Sequence, residues 1–342
     1  MIKRKSNSNL SKILVTFFSK WEVQIVIIIG ILVLVGSQLS PYFLNVKNQI
    51  RNSKNLVEIA LMALPMAFII ITGDIDLSVA SNLLMSAVVM AKLFENGVTV
   101  WVAVACGILT GIVGGLINGL LIGIVKLPAL VATLGTYTLF RGIGYSLLRE
   151  FTVKGFPDSF VFIGQKPFPG TTIPVQLFIF IFFAIIFGLI LHRTTLGRYL
   201  YSMGQNEDAC RYSGVPVDGV KILIFTLSGL MAAIAGMVLS ARYGSVDADI
   251  AAGYELTVIT AVVLGGVMTT GGTGSMIGVI FSLILVSEVR LLMNLLNIQG
   301  STQKIVFGVL LIMAILLPEL FNIIKSRRRM RLINKEIAEL ID

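Results

Sequence analysis

The stretch "TGDIDLSVAS", residues 72–81, places two carboxylates, Asp74 and Asp76, one residue apart between long apolar segments. Paired acids can serve acid–base or metal chemistry, but only with further groups beside them. The chain has one histidine, His192, and two distant cysteines, Cys106 and Cys210. The cysteines supply no metal-ligand spacing and no disulfide framework, and one histidine makes a His-based zinc site or a Ser–His protease hard to build. No G-x-x-x-x-G-K-[ST] phosphate-binding loop occurs in the chain, so ATP chemistry is not its own. Catalysis by the two acids is set aside, and no cofactor or metal is expected. The question is then why they are there, since a charge at membrane depth costs roughly 2.5–3.5 kcal/mol even on lenient insertion scales.

Membrane depth is the right frame. The 342 residues are 56% hydrophobic and 13% charged, with mean hydropathy +0.92. Soluble domains average about 25% charged. Runs of mostly apolar residues recur at about 22–39, 56–73, 78–95, 98–125, 129–148, 173–191, 221–241, 254–268, 275–296 and 303–321. They predict an all-α integral membrane protein with about ten transmembrane helices. The segments 56–73 and 254–268 are short or Gly-rich and read as broken or re-entrant. The basic N-terminus resembles a signal peptide, but no small-x-small cleavage site follows, so it reads as a retained first span. The expected organisation is a cytoplasmic tail at 1–21, a membrane domain at 22–324 and a basic cytoplasmic tail at 325–342.

Orientation follows from Lys and Arg. Placing the N-terminus inside puts 16 of them in inner loops and tails and 8 in outer loops. That asymmetry favours both termini in the cytoplasm. The net charge of +9 is explained by flanks facing anionic lipid, and no nucleic-acid partner is expected. The 149–172 loop, rich in Pro, Gly and Phe, is the largest outer feature.

The inner loop 192–220 is too long for a plain connection. Asn206 is an N-cap candidate, Glu207 and Asp208 stand in a first turn, and Arg211 stands in a last turn. Gly214 is the terminator and Pro216 prevents continuation. The signals predict a short helix at about 207–213. Seven residues are not stable alone, so the helix must pack on the spans or on a partner.

"LGRYLYSMGQNEDACRYSGVPVDGVKILIFTLSGLMAAIAGMV" resembles the membrane permease subunit of ABC importers for monosaccharides, the family of the ribose, rhamnose and autoinducer-2 uptake permeases. The likeness continues in "TGDIDLSVAS", in "GGLINGLLIGIVKLPALVATLGTYTLFRG" (114–142) and in "AGYELTVITAVVLGGVMTTGGTGSMIGVIFSLILV" (252–286). Family members often carry two glycines where this chain has Gly73-Asp74, so Asp74 adds a charge at a usually small position. The resemblance implies a channel of two permeases, identical or paralogous. It also implies two cytoplasmic ABC ATPase subunits or one tandem ATPase, and an extracytoplasmic sugar-binding protein. It implies that Asn206, Glu207, Asp208, Arg211 and Gly214 belong to the helix that couples to the ATPase. An ion-coupled secondary transporter is the alternative, but it would need carboxylates in mid-span, and the acids here cluster at segment ends.

The opening stretch then reads as a helix break. Gly73 lets the chain turn, and Asp76 or Ser78 caps the next helix. An interrupted helix is also a recurrent place for a transporter gate or cavity wall. Asp74, Asp76, Ser78, Asn118 and Arg141 are the candidates for gate or substrate path. For Asn118 the alternatives are a helix–helix hydrogen bond and a cavity-lining amide; for Arg141 they are snorkelling and pairing with an acid. For Glu288 and Arg290 a local pair or interfacial exposure is expected. "GSVDADIAAGYE" (244–255) repeats the Gly-x-x-Asp spacing of Gly73 and Asp76 at the other side, as an inverted repeat would.

Overall fold

The computed structural model describes residues 21–149 and 151–316. The predicted tails at 1–21 and 325–342 lie outside these residues, apart from Trp21. In chain order the helices are α1 (Trp21–Leu39), α2 (Val46–Lys54), α3 (Val57–Ile71), α4 (Val79–Glu95), α5 (Val100–Gly123) and α6 (Ala129–Leu148). They continue with α7 (Asp158–Gln165), α8 (Val175–Arg193), α9 (Thr195–Gln205), α10 (Glu207–Tyr212) and α11 (Val217–Tyr243). The last are α12 (Tyr254–Leu264), α13 (Met276–Leu295) and α14 (Gly300–Leu316). A two-stranded ribbon pairs β1 (Val153–Lys154) with β2 (Ser245–Val246), antiparallel.

Each apolar run of the sequence has become a helix, but fewer are long enough to cross a bilayer than the ten-span expectation assumes. Among the described residues five are long and apolar enough: α1, α5, α8, α11 and α13. A sixth arises if α2 and α3, bent by 52° at their junction, are taken as one broken span. For most of the others the reason is length, and for α6, which has 20 residues, it is a more polar composition that includes Arg141. A hydrocarbon core needs about 20 residues of helix, whereas α3 has 15, α4 has 17 and α12 has 11.

Helix α3 is the hub, with all of its residues buried. Helix α11 runs antiparallel to it. Against α11 lies α5, whose glycines 107, 111, 115, 119 and 123 recur every fourth residue and so share one face. A Cβ on Gly115 would collide with the Phe225 carbonyl and the Gly229 backbone, and one on Gly119 with the backbone of Ile222. This is small-residue packing, in which bare backbones approach closely enough for dispersion to replace the missing hydrophobic drive in lipid. Asn82 of α4 donates to the Gly111 carbonyl at 3.0 Å and ties a third helix to the seam.

The segment between α6 and α8 is held by its aromatics. Phe156 stacks on Phe94 of α4, Phe160 meets Trp101 of α5 edge-on, and the two phenylalanines pack against each other at a tilt. Gly164 of α7 abuts the Ala241–Arg242 backbone at the end of α11.

Candidate functional site

The short helix predicted in the inner loop is α10. The Asn206 side chain accepts from the Ala209 amide at 2.9 Å. Gly214 has φ +83°, and the Val215 and Gly214 amides donate to the Cys210 and Arg211 carbonyls. Together these bonds make a Schellman terminator. Cys210 faces inward, Asp208 and Arg211 are exposed, and Tyr212 is 93% exposed.

A second helix precedes it that the sequence reading passed over. In α9, Leu200 and Met203 are buried three residues apart, hidden in a segment that reads as polar loop. Gly204 at its end fits under the Ile71 carbonyl and the Gly272 amide, where a Cβ would collide with both. The Gly272 amide also donates to the Ile71 carbonyl, and Gln205 Nε2 to the Gly272 carbonyl at 3.2 Å. The end of α3, the glycine loop before α13 and the α9–α10 corner therefore meet at one point.

An ion-pair ladder leads from α10 into the bundle. Glu207 contacts Arg211 at 3.3 Å and Lys221 at 2.7 Å. Lys221 also reaches Asp74 at 3.1 Å. On the other side Arg211 contacts Asp218 at 2.8 Å, and Asp218 pairs with Lys126 of the α5–α6 loop. Burial alone would raise the Glu207 carboxyl, but the hydrogen bond and charge of Lys221, then those of Arg211, hold it below the usual range. Helix α11 starts at Val217, ahead of the apolar run at 221–241, so Lys221 lies one turn inside the helix.

The break itself turns at Gly73, with φ +84°, a conformation that an L side chain adopts only with strain. The two acids then part. Asp74 faces Lys221, while Asp76 is 2% exposed and serves a different circuit. Asp76 Oδ1 accepts from the Ser78 amide at 2.9 Å and the Ser78 hydroxyl at 2.6 Å. Its Oδ2 accepts from the Ser228 hydroxyl of α11 at 2.7 Å. Asn118 of α5 donates to the Ser78 hydroxyl at 2.7 Å and accepts from Thr136 of α6 at 2.7 Å. Three candidates, Asp76, Ser78 and Asn118, thus form one buried chain joining α4, α5, α6 and α11. Ser78 is the N-cap of α4 by position, but its side chain makes no capping bond; Asp76 supplies the oxygen instead. Ser228 lies eleven residues into α11, roughly 16 Å from its start at 1.5 Å per residue. The start of α4 is therefore well inside the bundle.

Arg141, the fifth candidate, is at the other end. It does not snorkel: it is 8% exposed and lies under the rings of Tyr137 and Tyr145. At the same end the fully buried Glu58 accepts from Arg242 Nε at 2.8 Å, and Arg242 Nη1 donates to Asn55 at 2.8 Å. Neither residue was singled out in the sequence. The available signal was Glu58, a lone acid in an apolar run, which membrane energetics makes suspect by default. Glu288 and Arg290 do not form the expected local pair. Glu288 accepts from Gln49 at 3.0 Å, and Arg290 stacks over Phe307.

The sequence profile of a family described as "Branched-chain amino acid transport system / permease component" matches residues 55–315. The chain belongs to this permease family. The L-arabinose transport system permease AraH of Escherichia coli is 40% identical over 75% of this chain and 77% of its own length. The ribose import permease RbsC of Bacillus subtilis is 36% identical over 84% and 89%. The autoinducer 2 import permease LsrD of an Enterobacter strain is 31% identical over 86% and 92%. No solved structure matches the chain. The permease is therefore a multi-pass membrane transporter subunit rather than an enzyme, and the ion-coupled alternative falls away. Its match begins at residue 55, just before α3, so the hub, the break, α10 and the glycine loop all lie within the shared region.

Proposed function

We propose that this permease forms half of the membrane path of an ABC importer for a monosaccharide or a sugar-like small molecule in the bacterial inner membrane. A second permease, identical or paralogous, completes the path. Two ATPase subunits, or one tandem ATPase, hydrolyse ATP in the cytoplasm, and an external binding protein delivers the sugar. Both termini are cytoplasmic, and the helices α3, α4, α6, α12 and α14 complete about ten passages together with the five long spans. The sugar class is supported by the names of the relatives, which transport arabinose, ribose and autoinducer 2.

The single observation that carries the coupling role is the Glu207–Lys221–Asp74 ladder. A helix of six residues with an exposed Tyr212 is a docking element, because its stability must come from packing. Displacement of α10 by the ATPase pulls on Lys221, and Lys221 pulls on the residue beside the α3–α4 break. The two aspartates answer the opening question by dividing the work: Asp76 locks the break into the bundle, and Asp74 connects it to the docking helix.

The test is uptake into proteoliposomes holding the permease, the ATPase and the binding protein of its system. Radiolabelled D-ribose, L-arabinose and leucine are offered in parallel. ATP-dependent uptake of a sugar, indifferent to a proton ionophore, is expected. Uptake driven by an ion gradient without ATP would overturn the reading, as would a 206–214 Gly-Ser replacement that still retains the ATPase.

A further inference from the structure

At the end away from α10, a guanidinium is buried with unused donors. Arg141 is 8% exposed, and its Nε and Nη2 have no hydrogen-bond partner among the described residues. Its Cζ lies 5.7 Å from the Tyr137 ring centre and 5.9 Å from that of Tyr145. Nη1 reaches the Tyr145 hydroxyl at 3.5 Å, and that hydroxyl donates to Asp249 Oδ1 at 3.1 Å. Glu255, in the first turn of α12 and 9% exposed, feels the charge of Arg141 and keeps Oε2 unpartnered. Buried polar atoms are nearly always satisfied, so two buried charged side chains that each keep open atoms need an explanation.

The chemistry fits vicinal hydroxyls. A guanidinium fork donates to two adjacent oxygens, carboxylates accept the hydroxyl protons, and tyrosine faces take the C–H side of a ring. We infer that Arg141, Tyr145, Asp249 and Glu255 form a polyol-binding subsite at the outer mouth of the permease. It receives the neutral sugar as it leaves the binding protein. The inference rests on the sugar-import reading above. A surface for docking the binding protein would present its charges outward, whereas here only Tyr145 and Asp249 are exposed and the two open groups lie beneath them.

The experiment uses the full complex in proteoliposomes and reads sugar accumulated per ATP hydrolysed, with whichever of D-ribose or L-arabinose the unaltered complex imports. Arg141→Lys keeps the charge but loses the fork, and Glu255→Gln loses the acceptor charge. Each is expected to lower the ratio roughly tenfold, the loss of one charge-assisted hydrogen bond. Tyr145→Phe and Asp249→Asn, on the exposed side, should lower it a few-fold while co-purification with the ATPase persists. A merely structural role would reduce assembly and leave the ratio of the remaining complexes intact, which overturns the subsite. Should Arg141→Lys fail to assemble, the two exposed variants decide by the same criterion. Unaltered complex that imports leucine and no sugar overturns the import reading and the polyol assignment together. Sugar import with a normal ratio in all four variants overturns the subsite alone.

Discussion

The antiparallel helices α3 and α11 are tied by an ion pair at each end, and the two ties are built differently. At one end Arg242 donates to the fully buried Glu58 and to Asn55. Every partner there belongs to the bundle. At the other end Lys221 divides itself between Asp74, which is part of the bundle, and Glu207, which is part of a helix on the surface. The first arrangement can only hold. Under the proposed docking role of α10, the second shares its cation with an element that a partner moves, so it holds and also transmits. The lesson is that burial alone does not distinguish a clamp from a linkage; what matters is whether the other end of the network is free to shift.

The largest effect is expected at the clamp. Arg242→Met leaves a fully buried carboxylate without its cation, and breaking one side of such a pair costs about 3–5 kcal/mol. The thermal unfolding midpoint in detergent should fall steeply. Glu58→Leu with Arg242→Met replaces both charges by apolar groups and should recover most of the loss. A double variant as unstable as the single one would mean that Arg242 acts through Asn55 or through its stacking on Tyr243 rather than through Glu58.

The contrast sharpens at the linkage. Lys221→Met strands the largely buried Asp74 and removes one partner of Glu207, a loss of about 1.5–3 kcal/mol for a hydrogen bond to a charged group. Adding Asp74→Gly removes the stranded acid and should restore the unfolding midpoint. If the ladder transmits motion, the double variant stays uncoupled: ATP is hydrolysed, but sugar accumulation per ATP remains low. Recovery of both stability and coupling would reduce the inner pair to a second clamp.

These two ties also mark where the sequence was readable. Helix α10 was legible because its information is local: Asn206, the acids of the first turn and Gly214 all lie within nine residues. The break was half legible. Gly73 and the acids announced a turn, but the separation of Asp74 from Asp76 depends on Lys221 and Ser228, which only the packing of α11 brings there. The clamp was not legible, since Glu58 and Arg242 are 184 positions apart and no local rule joins them. The helices themselves followed the apolar runs closely. Fewer helices are long and apolar enough to cross on their own than there are runs, because α3 and α12 are short and α6 is more polar. The polyol group was partly visible in Arg141, whereas Tyr145 and Asp249 come together only through the β1–β2 ribbon end of the fold.

The smallest effect expected is at the exposed end of the linkage, where pH separates Glu207 from its neighbours. Its folded carboxyl is held below the ordinary value of 4.5, against the opposing pull of burial, by Lys221 and then Arg211. A lowered folded value means that the carboxylate stabilises the folded form at every pH above the unfolded value. The contribution is lost as pH falls from there through the lowered folded value. Glu207 is 37% exposed on its side chain, so screening keeps the stabilisation within about 1 kcal/mol. Amide exchange across α10, corrected for intrinsic rates, should therefore be flat from neutral pH to about pH 5 on the ordinary carboxylate scale and rise below it. Asp218 titrates nearby, so the informative quantity is the difference between the unaltered protein and Glu207→Gln. The variant should show faster exchange at neutral pH and converge with the unaltered protein in acid. Curves that coincide over the whole range would mean that Lys221 gains nothing from Glu207. The ladder would then end at Asp74, and α10 would be fastened by its caps, by Cys210 and by the Arg211–Asp218 pair.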